Sequence, residues 1–303
     1  MTTTNGRKTL VVILGPTGVG KTDLSLQIAK YLQTEIISCD SRQMYRELKI
    51  GTAVPEADQL AQVKHHFIGN LSIHDYFSSG EFELQAISLL EKLFKNNSYV
   101  VMTGGSGLYI DAVVKGIDDL PTVDQELRDS IKNRFKDKDI EYLQQELKRI
   151  DTDYYEKVDL KNPKRMLKAI EVFEITGKTY SSLRTESKKE RPFKTLQIGL
   201  TMERAELYKR IDLRVDKMID DGLVDEAKQF FAFKDLNSLN TVGYKELFGY
   251  FEGEYNLDEA IRLIKRNSRR YAKRQLTYWN RDKSIHWFHP NQKLEILETI
   301  RQA

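Results

Sequence analysis

Short apolar runs alternate with longer amphipathic segments along this chain of 303 residues. Runs rich in β-branched residues predict five strands, at 10–14, 35–39, 99–103, 196–200 and 285–288. The first three runs lack apolar/polar alternation, as expected for strands that helices cover on both faces. Strands that alternate with helical segments are typical of an α/β fold built on a doubly wound parallel sheet.

The segment between the third and fourth predicted strands lacks a strand pattern and instead predicts helices at 124–137, 140–150 and 163–176. The last helix is marked by Asn162 as its N-cap, Pro163 at its first position and Gly177 as its C-cap. Two more long helices are predicted, at 204–233 and 257–280. We therefore expect two domains. An α/β core is formed by 1–115 together with 196–303, and a helical domain formed by 116–195 is inserted into it.

The composition narrows the class of protein. A net charge of +3 is too small by itself to indicate a nucleic-acid partner. The single cysteine, Cys39, excludes an intramolecular disulfide and a cysteine-based zinc site, and we interpret it as a small buried filler. No apolar stretch has the length of a signal-peptide core or a membrane span. We expect a cytosolic monomer without membrane association.

The segment after the first predicted strand matches the phosphate-loop pattern G-x-x-x-x-G-K-[ST]. It consists of Gly15, Pro16, Thr17, Gly18, Val19, Gly20, Lys21 and Thr22. The glycines let backbone N–H groups surround a phosphate at the positive end of the following helix. Lys21 adds a positive charge, and the Thr22 hydroxyl can bind Mg²⁺. We therefore expect a polyphosphate ligand with Mg²⁺ as its cofactor, and the loop alone leaves the ligand's identity open.

An ordinary P-loop ATPase holds Mg²⁺ with an acidic residue at the end of an apolar strand. The strand predicted at 99–103 ends in glycines, so Asp40 is the acid that follows a predicted strand. Either Asp40 is the partner of the metal, or the loop holds a diphosphate that is not hydrolysed in the usual way. The position of Asp40, at the carboxyl end of a parallel strand, also suits a general base or the N-cap of the next helix.

Further motifs resemble the tRNA dimethylallyltransferase family over nearly the whole chain, in order. Besides the phosphate loop, the resemblance is carried by 38–45, 50–53, 104–109, 162–171, 210–215 with Met218, 242–246 and 272–277. The chain departs from the family pattern at Val54, Gly69 and Ser106, where the family usually has Lys, Asp and Thr. Trp279 also lies one place later than the family's Thr-Trp pair.

The resemblance implies that the loop holds dimethylallyl diphosphate rather than ATP. The implied acceptor is N6 of the adenosine 3′-adjacent to the anticodon, in tRNAs that read codons beginning with U. By resemblance, Asp40 corresponds to the family's general base. Thr17 corresponds to the residue whose hydroxyl lies beside N6 of the acceptor adenine and the bridging oxygen of the diphosphate. Lys21 and Arg214 correspond to the residues that bind the pyrophosphate. The positions that resemble tRNA contacts are Asp40, Ser41, Arg42, Gln43, Gly105, Ser106, Lys164, Arg165, Met166, Leu167, Lys168, Gly243, Tyr244, Lys245, Lys273, Arg274 and Gln275.

A basic segment at 262–283 carries nine Lys and Arg residues, with Asp282 as its single acid. Tyr271, Tyr278 and Trp279 lie among them. Concentrated positive charge with interleaved aromatic residues is typical of proteins that bind a phosphate backbone, and a solvated helix face is the alternative.

Three other functions stay open from the sequence. A P-loop kinase of small molecules predicts consumption of ATP and leaves the basic segment unexplained. A non-enzymatic RNA-binding switch predicts tRNA binding without a product. An adenylate prenyltransferase predicts that free nucleotides are the acceptors.

Overall fold

The computed structural model describes residues 8–118, 125–184 and 189–303. Contacts divide the chain into two compact units, Met1–Lys115 with Glu190–Ala303, and Gly116–Lys189. The second unit ends before the expected boundary at 195, because the fifth strand already begins at Lys194. Asp124, expected to begin a helix, lies outside the described residues.

The first unit contains one sheet in which, among the described residues, all six strands are parallel. The strands are β1 (Thr9–Leu14), β2 (Ile36–Ser38), β3 (His65–His66), β4 (Tyr99–Gly104), β5 (Lys194–Leu200) and β6 (His286–Phe288). Their order is β3-β2-β4-β1-β5-β6. The predicted parallel α/β sheet is confirmed. The sequence does not predict β3, because a strand of two histidines has no apolar pattern.

The α-helices of the described residues are α1 (Lys21–Tyr31), α2 (Ala57–Gln62), α3 (Ser79–Leu93), α4 (Gly107–Val114), α5 (Gln125–Phe135), α6 (Ile140–Ile150), α7 (Thr152–Tyr155), α8 (Pro163–Thr176), α9 (Tyr180–Leu183), α10 (Arg204–Asp220), α11 (Leu223–Gln229), α12 (Tyr244–Phe251), α13 (Leu257–Trp279) and α14 (Lys293–Arg301). Two short 3₁₀-helices, Phe231–Phe233 and Asn237–Leu239, lie between α11 and α12. The single helix predicted at 204–233 is wrong. Gly222 has a φ of +98° and separates α10 from α11. Among the described residues, no helix combines the length and the apolar character of a membrane span.

β1 is buried along its whole length because it contributes to two cores. Leu10, Val12 and Leu14 pack into a cluster with residues of α3 and α4. Val11 and Ile13 pack into a second cluster with residues of α1 and α10. A strand covered on both faces has no polar side, which explains the continuous apolar run in the sequence.

The second unit is helical in its described part, from α5 to α9. Its core includes Leu147, Met166 and Ile170. The Asn162 side chain accepts a hydrogen bond from the Arg165 N–H, and Gly177 ends α8 with a φ of +66°. The bounds of α8 therefore agree with those predicted from its capping residues.

Candidate active site

A cavity of about 680 Å³ lies at the carboxyl ends of β1, β2 and β4. The loops that follow these strands line it, together with α10, α13 and the loop before α12. Parallel α/β sheets bind their ligands at this edge, and the volume is within the usual range for a ligand pocket. Residues of the predicted phosphate loop, Asp40 and Arg214 all line the cavity.

The phosphate loop connects the buried strand β1 to the first turn of α1. Gly20 is the N-cap of α1 and has a φ of +102°, in the left-handed region. A Cβ at Gly15 would lie 2.7 Å from the Leu200 carbonyl oxygen, so glycine is required for this approach to β5. Val19 is buried and holds the loop against the core. The positive end of α1 is thereby presented to the cavity, where it favours an anion.

Two cations lie beside this loop in a poorly solvated part of the cavity. The Lys21 Nζ donates to the carbonyl oxygens of Gly15 and Pro16, each at 2.8 Å. Burial and the nearby Arg214 guanidinium lower the pKa of Lys21 to about 8. Burial also lowers the pKa of Arg214. Both shifts mean that the charged forms are poorly compensated by the protein, so an anionic ligand would stabilise them.

Asp40 and Thr17 present oxygen atoms to the same cavity. The Arg214 Nη1 donates to the Thr17 Oγ1 at 3.1 Å. The Asp40 Oδ1 accepts a hydrogen bond from the Arg42 N–H at 2.9 Å and closes a turn. The N-cap interpretation of Asp40 is wrong, because no helix begins there. Within the described part of the chain no donor contacts Oδ2, so this oxygen can accept a proton or bind a metal.

Several of the predicted tRNA contacts form hydrogen bonds within the protein. The Gln275 Oε1 accepts from the Thr17 N–H, and its Nε2 donates to the Gly105 carbonyl oxygen, both at 2.9 Å. The Ser41 N–H donates to the Ser106 Oγ at 3.0 Å. The Gln43 Nε2 donates to the Ala53 carbonyl oxygen at 2.9 Å, and the Arg42 Nη1 to the Asn237 carbonyl oxygen at 2.8 Å. These bonds join the loops around the cavity to one another.

The other predicted tRNA contacts differ in exposure. Five cations are exposed: Lys164, Arg165, Lys245, Lys273 and Arg274. Leu167 and Lys168 are half-buried, and Lys168 lies 3.8 Å from Glu171. Met166 and Tyr244 are fully buried, so their side chains belong to the cores of their units. Gly243 is also buried but lines the cavity with a φ of +103°. RNA contact therefore stays a prediction for the exposed members of the set.

Glu226 is a supporting residue that the sequence did not reveal. Its buried carboxylate accepts hydrogen bonds from the N–H groups of Lys49, Ile50 and Gly51, at 2.9–3.0 Å. The buried Tyr244 hydroxyl donates to the same carboxylate at 2.6 Å. The four bonds hold the loop whose carbonyl oxygens accept from Gln43. No local motif marks Glu226, because it lies about 175 residues from the amides that it binds.

The basic segment of α13 divides into two groups. Lys265 and Arg269 form ion pairs of 2.5 Å with Asp216 and Asp212 of α10, and Arg262 pairs with Glu259. Among the described residues no acid pairs with Arg270, Lys273 or Arg274. Arg274 lies over the ring of Tyr271, 5.7 Å from its centroid, and both residues line the cavity. The second group is therefore available to a phosphate backbone.

The donor set for Mg²⁺ is small. Thr22 and Asp40 both line the cavity, and the described residues contain no group of three or more His, Cys, Asp or Glu that could hold a metal ion. Mg²⁺ is commonly bound by one or two protein oxygens, with the phosphates of the substrate and water as its other ligands. The residues present fit an Mg²⁺ ion that is shared with a diphosphate.

Comparisons with known proteins agree with this arrangement. The family model described as IPP transferase matches residues 43–282. The tRNA dimethylallyltransferase 1 of Bacteroides fragilis is 54% identical over 296 residues, which are 98% of each chain. The tRNA dimethylallyltransferase of Christiangramia forsetii is 49% identical over 279 residues, or 92% of each chain.

Two solved structures share the fold. A tRNA isopentenylpyrophosphate transferase from Bacillus halodurans has a TM-score of 0.71 at 35% identity, over 98% of this chain and 96% of that chain. A eukaryotic dimethylallyltransferase acting on tRNA has a TM-score of 0.79 at 22% identity, over 97% of this chain and 80% of that chain. The chain belongs to the IPP transferase family.

Proposed function

We propose that this chain is an enzyme that transfers a dimethylallyl group from dimethylallyl diphosphate to tRNA and releases diphosphate. The observation that carries this function is that one cavity contains a phosphate loop, two half-buried cations and a carboxylate with an available oxygen. The names of relatives at about half identity over nearly the whole chain support the same reaction.

The family resemblance implies that the acceptor atom is N6 of the adenosine 3′-adjacent to the anticodon, in tRNAs that read UNN codons, and we propose the same acceptor here. An exocyclic adenine amine is a weak nucleophile and must lose a proton as it attacks. The N6–C1 bond forms as the bond from C1 to the bridging oxygen breaks. The proton passes to Asp40, and the electron pair of the broken bond leaves with the diphosphate.

The leaving group determines what the other residues do. Negative charge accumulates on the diphosphate, where Lys21, Arg214 and the amides at the start of α1 stabilise it. The Thr17 hydroxyl accepts a hydrogen bond from Arg214 and keeps its own proton to donate to the bridging oxygen. The two cations bind the departing charge more strongly because they are poorly solvated.

We assign Mg²⁺ to the Thr22 hydroxyl, with the Asp40 carboxylate in the same cavity as a candidate second ligand. When bound, the ion supplies positive charge to the diphosphate oxygens. Asp40 is thus left with two candidate tasks, metal ligand and base.

The exposed cations indicate how the RNA is held. Lys245 and Arg274 line the cavity, and Lys273 is exposed next to Arg274 on α13. In the second unit Lys164 and Arg165 are exposed at the start of α8. A base in an unpaired anticodon loop can leave its stack at a cost of a few kcal/mol. The monomeric state and the cytosolic location stay predictions.

The experiment is transfer of label from radiolabelled dimethylallyl diphosphate, offered in parallel to unmodified tRNA and to free AMP with Mg²⁺ present. Label in tRNA alone is the expected result. Label in AMP alone would make the chain an adenylate prenyltransferase. Hydrolysis of ATP without label transfer would identify a P-loop kinase, and tRNA binding without a product would identify a non-enzymatic switch.

A further inference from the structure

Gln275 is a buried polar residue beside the catalytic loops. Its side chain is 6% exposed although it ends in an amide, and it extends from α13 between the phosphate loop and the loop after β4. The amide is bonded on both sides, to the Thr17 N–H and to the Gly105 carbonyl oxygen, each at 2.9 Å. Because this amide is buried and is bonded at both ends within the protein, its polar atoms are already used in joining the two loops.

The two partners determine which way the amide faces. The Thr17 N–H is a donor and requires the carbonyl oxygen of Gln275, whereas the Gly105 oxygen is an acceptor and requires the NH₂ group. Only one orientation of the amide satisfies both partners at the same time. Gln275 therefore makes a specific link between the loop that follows β1 and the loop that follows β4.

Gly105 allows this link for a steric reason. A Cβ at this position would lie 2.5 Å from the Gln275 Nε2, closer than real Cβ contacts allow. The glycine therefore leaves the space in which the amide lies. Any side chain at 105 must displace the end of Gln275 and so disturb its bond to the Gly105 oxygen.

We propose that Gln275 is a positioning residue, which holds Thr17 in place for the diphosphate rather than contacting tRNA. This inference rests on the proposed function. Thr17 is fixed twice, by Gln275 at its backbone N–H and by Arg214 at its hydroxyl. The peptide N–H of Thr17 is used within the protein, so the contribution of this residue to the ligand is its hydroxyl. Without Gln275 the loop can rotate, and both the hydroxyl and Arg214 lose their common position.

The test is Gln275→Met, which keeps the length of the side chain and removes both hydrogen bonds. The matched control is Gln197→Met: Gln197 is also buried and bonded, to Ser284 at 3.1 Å, but it does not line the cavity. We expect kcat to fall by roughly tenfold to a hundredfold in Gln275→Met, since misplacement of a reacting group by about 1 Å has effects of that size. The control should keep its kcat, and the two variants should lose similar amounts of thermal stability.

The dissociation constant for tRNA distinguishes positioning from RNA contact. Positioning predicts a tRNA Kd within about twofold of the wild type, with the loss in kcat persisting at saturating tRNA. A normal kcat at saturating tRNA combined with a raised tRNA Kd would overturn the proposal. So would a kcat that falls equally in Gln275→Met and Gln197→Met.

A second variant, Gly105→Ala, displaces the same amide without changing it. We expect kcat to fall in this variant too. In the double variant Gly105→Ala/Gln275→Met, the fold-decrease in kcat should be smaller than the product of the fold-decreases in the two single variants. Fully independent effects would contradict a shared link.

Titration with inorganic diphosphate separates this inference from the proposed function, because it needs no turnover. We expect diphosphate affinity to fall severalfold in Gln275→Met and to stay unchanged in Gln197→Met. If the wild-type chain transfers no label, the proposed function fails, and the diphosphate titration still decides the role of Gln275. Equal diphosphate affinity in wild type and Gln275→Met overturns the positioning role.

Discussion

The helix α13 contributes basic side chains to two regions, and these side chains are paired with acidic residues in one region and, within the described part of the chain, unpaired in the other. Where it packs on α10, Lys265 and Arg269 are neutralised by Asp216 and Asp212. At the cavity, Arg274 lies over Tyr271 without an acidic partner among the described residues. The α10–α13 contact satisfies its charges within the protein, and the cavity leaves its charges for a ligand. The difference separates Lys265 and Arg269, which are structural, from Arg274, which is available to a ligand.

The energetics of the two regions differ accordingly. The ion pairs between α10 and α13 are partly exposed, so each contributes about 0–1 kcal/mol to stability. In the cavity, burial instead lowers the pKa values of Lys21 and Arg214, which means that their charged forms are disfavoured. An anion between them removes this penalty. Binding of an anionic ligand is therefore expected to stabilise the charged residues of the cavity, and it is not expected to change the stability of the α10–α13 contact.

The largest expected effect is that of Asp40→Ala. It should lower turnover by on the order of 10²–10⁴-fold, the usual contribution of a general base, and leave tRNA binding largely intact. The measurement is single-turnover label transfer together with a tRNA titration. Asp212→Ala is the matched control, since it removes a carboxylate of the α10–α13 contact. Near-normal turnover in Asp40→Ala would contradict its assignment.

The next largest effect is expected on the affinity for dimethylallyl diphosphate, which should depend on pH through the charge of Lys21. Lys21 is charged below its lowered pKa of about 8 and becomes neutral above it. The affinity for dimethylallyl diphosphate should therefore be greatest below pH 8 and fall by up to about tenfold per pH unit above it, until the raised pKa of the complex is reached. Calorimetric titration from pH 7 to 10 measures this. Lys21→Met should bind weakly with a flat profile, and a flat profile in the wild type would be contrary to the account.

Charge reversal at the cavity end of α13 is expected to have a smaller effect. The double variant Lys273→Glu/Arg274→Glu should weaken tRNA binding and lower the slope of log K against log[salt] by about one unit per lost phosphate contact. Binding measured at several salt concentrations tests this. A weakened affinity with an unchanged slope would mean that these two residues do not contact phosphate.

The smallest effect is expected from Lys265→Ala and Arg269→Ala. Each should change the free energy of unfolding by at most about 1 kcal/mol, because the pairs are partly exposed. The salt slope of tRNA binding should stay at its wild-type value. A loss of tRNA affinity as large as that from Lys273 and Arg274 would remove the distinction between the two regions.

Local signals predict much of the fold. The apolar run of β1, the phosphate loop and the caps of α8 depend on neighbouring residues, so their positions can be read from the sequence. Lys21 follows from the phosphate-loop pattern and Asp40 from its position after a predicted strand, whereas Arg214 depends on the family resemblance. The structure brings all three to one cavity.

Tertiary contacts account for what the sequence does not show. Arg269 and its partner Asp212 are 57 residues apart, so counting charges along α13 could not separate structural from available cations. Glu226 and the buried Tyr244 support a loop that is remote in sequence. Gln275 matches a family motif, but its two loop contacts, 258 and 170 residues away, become visible only in the structure.

The most direct test of the central claim uses an anticodon stem-loop RNA with labelled dimethylallyl diphosphate. The acceptor adenosine is compared with purine riboside at the same position, which lacks only the exocyclic amine. We predict label in the adenosine stem-loop and none in the purine riboside stem-loop, with similar binding of both. Label in both RNAs, or in neither while both are bound, would contradict transfer to N6.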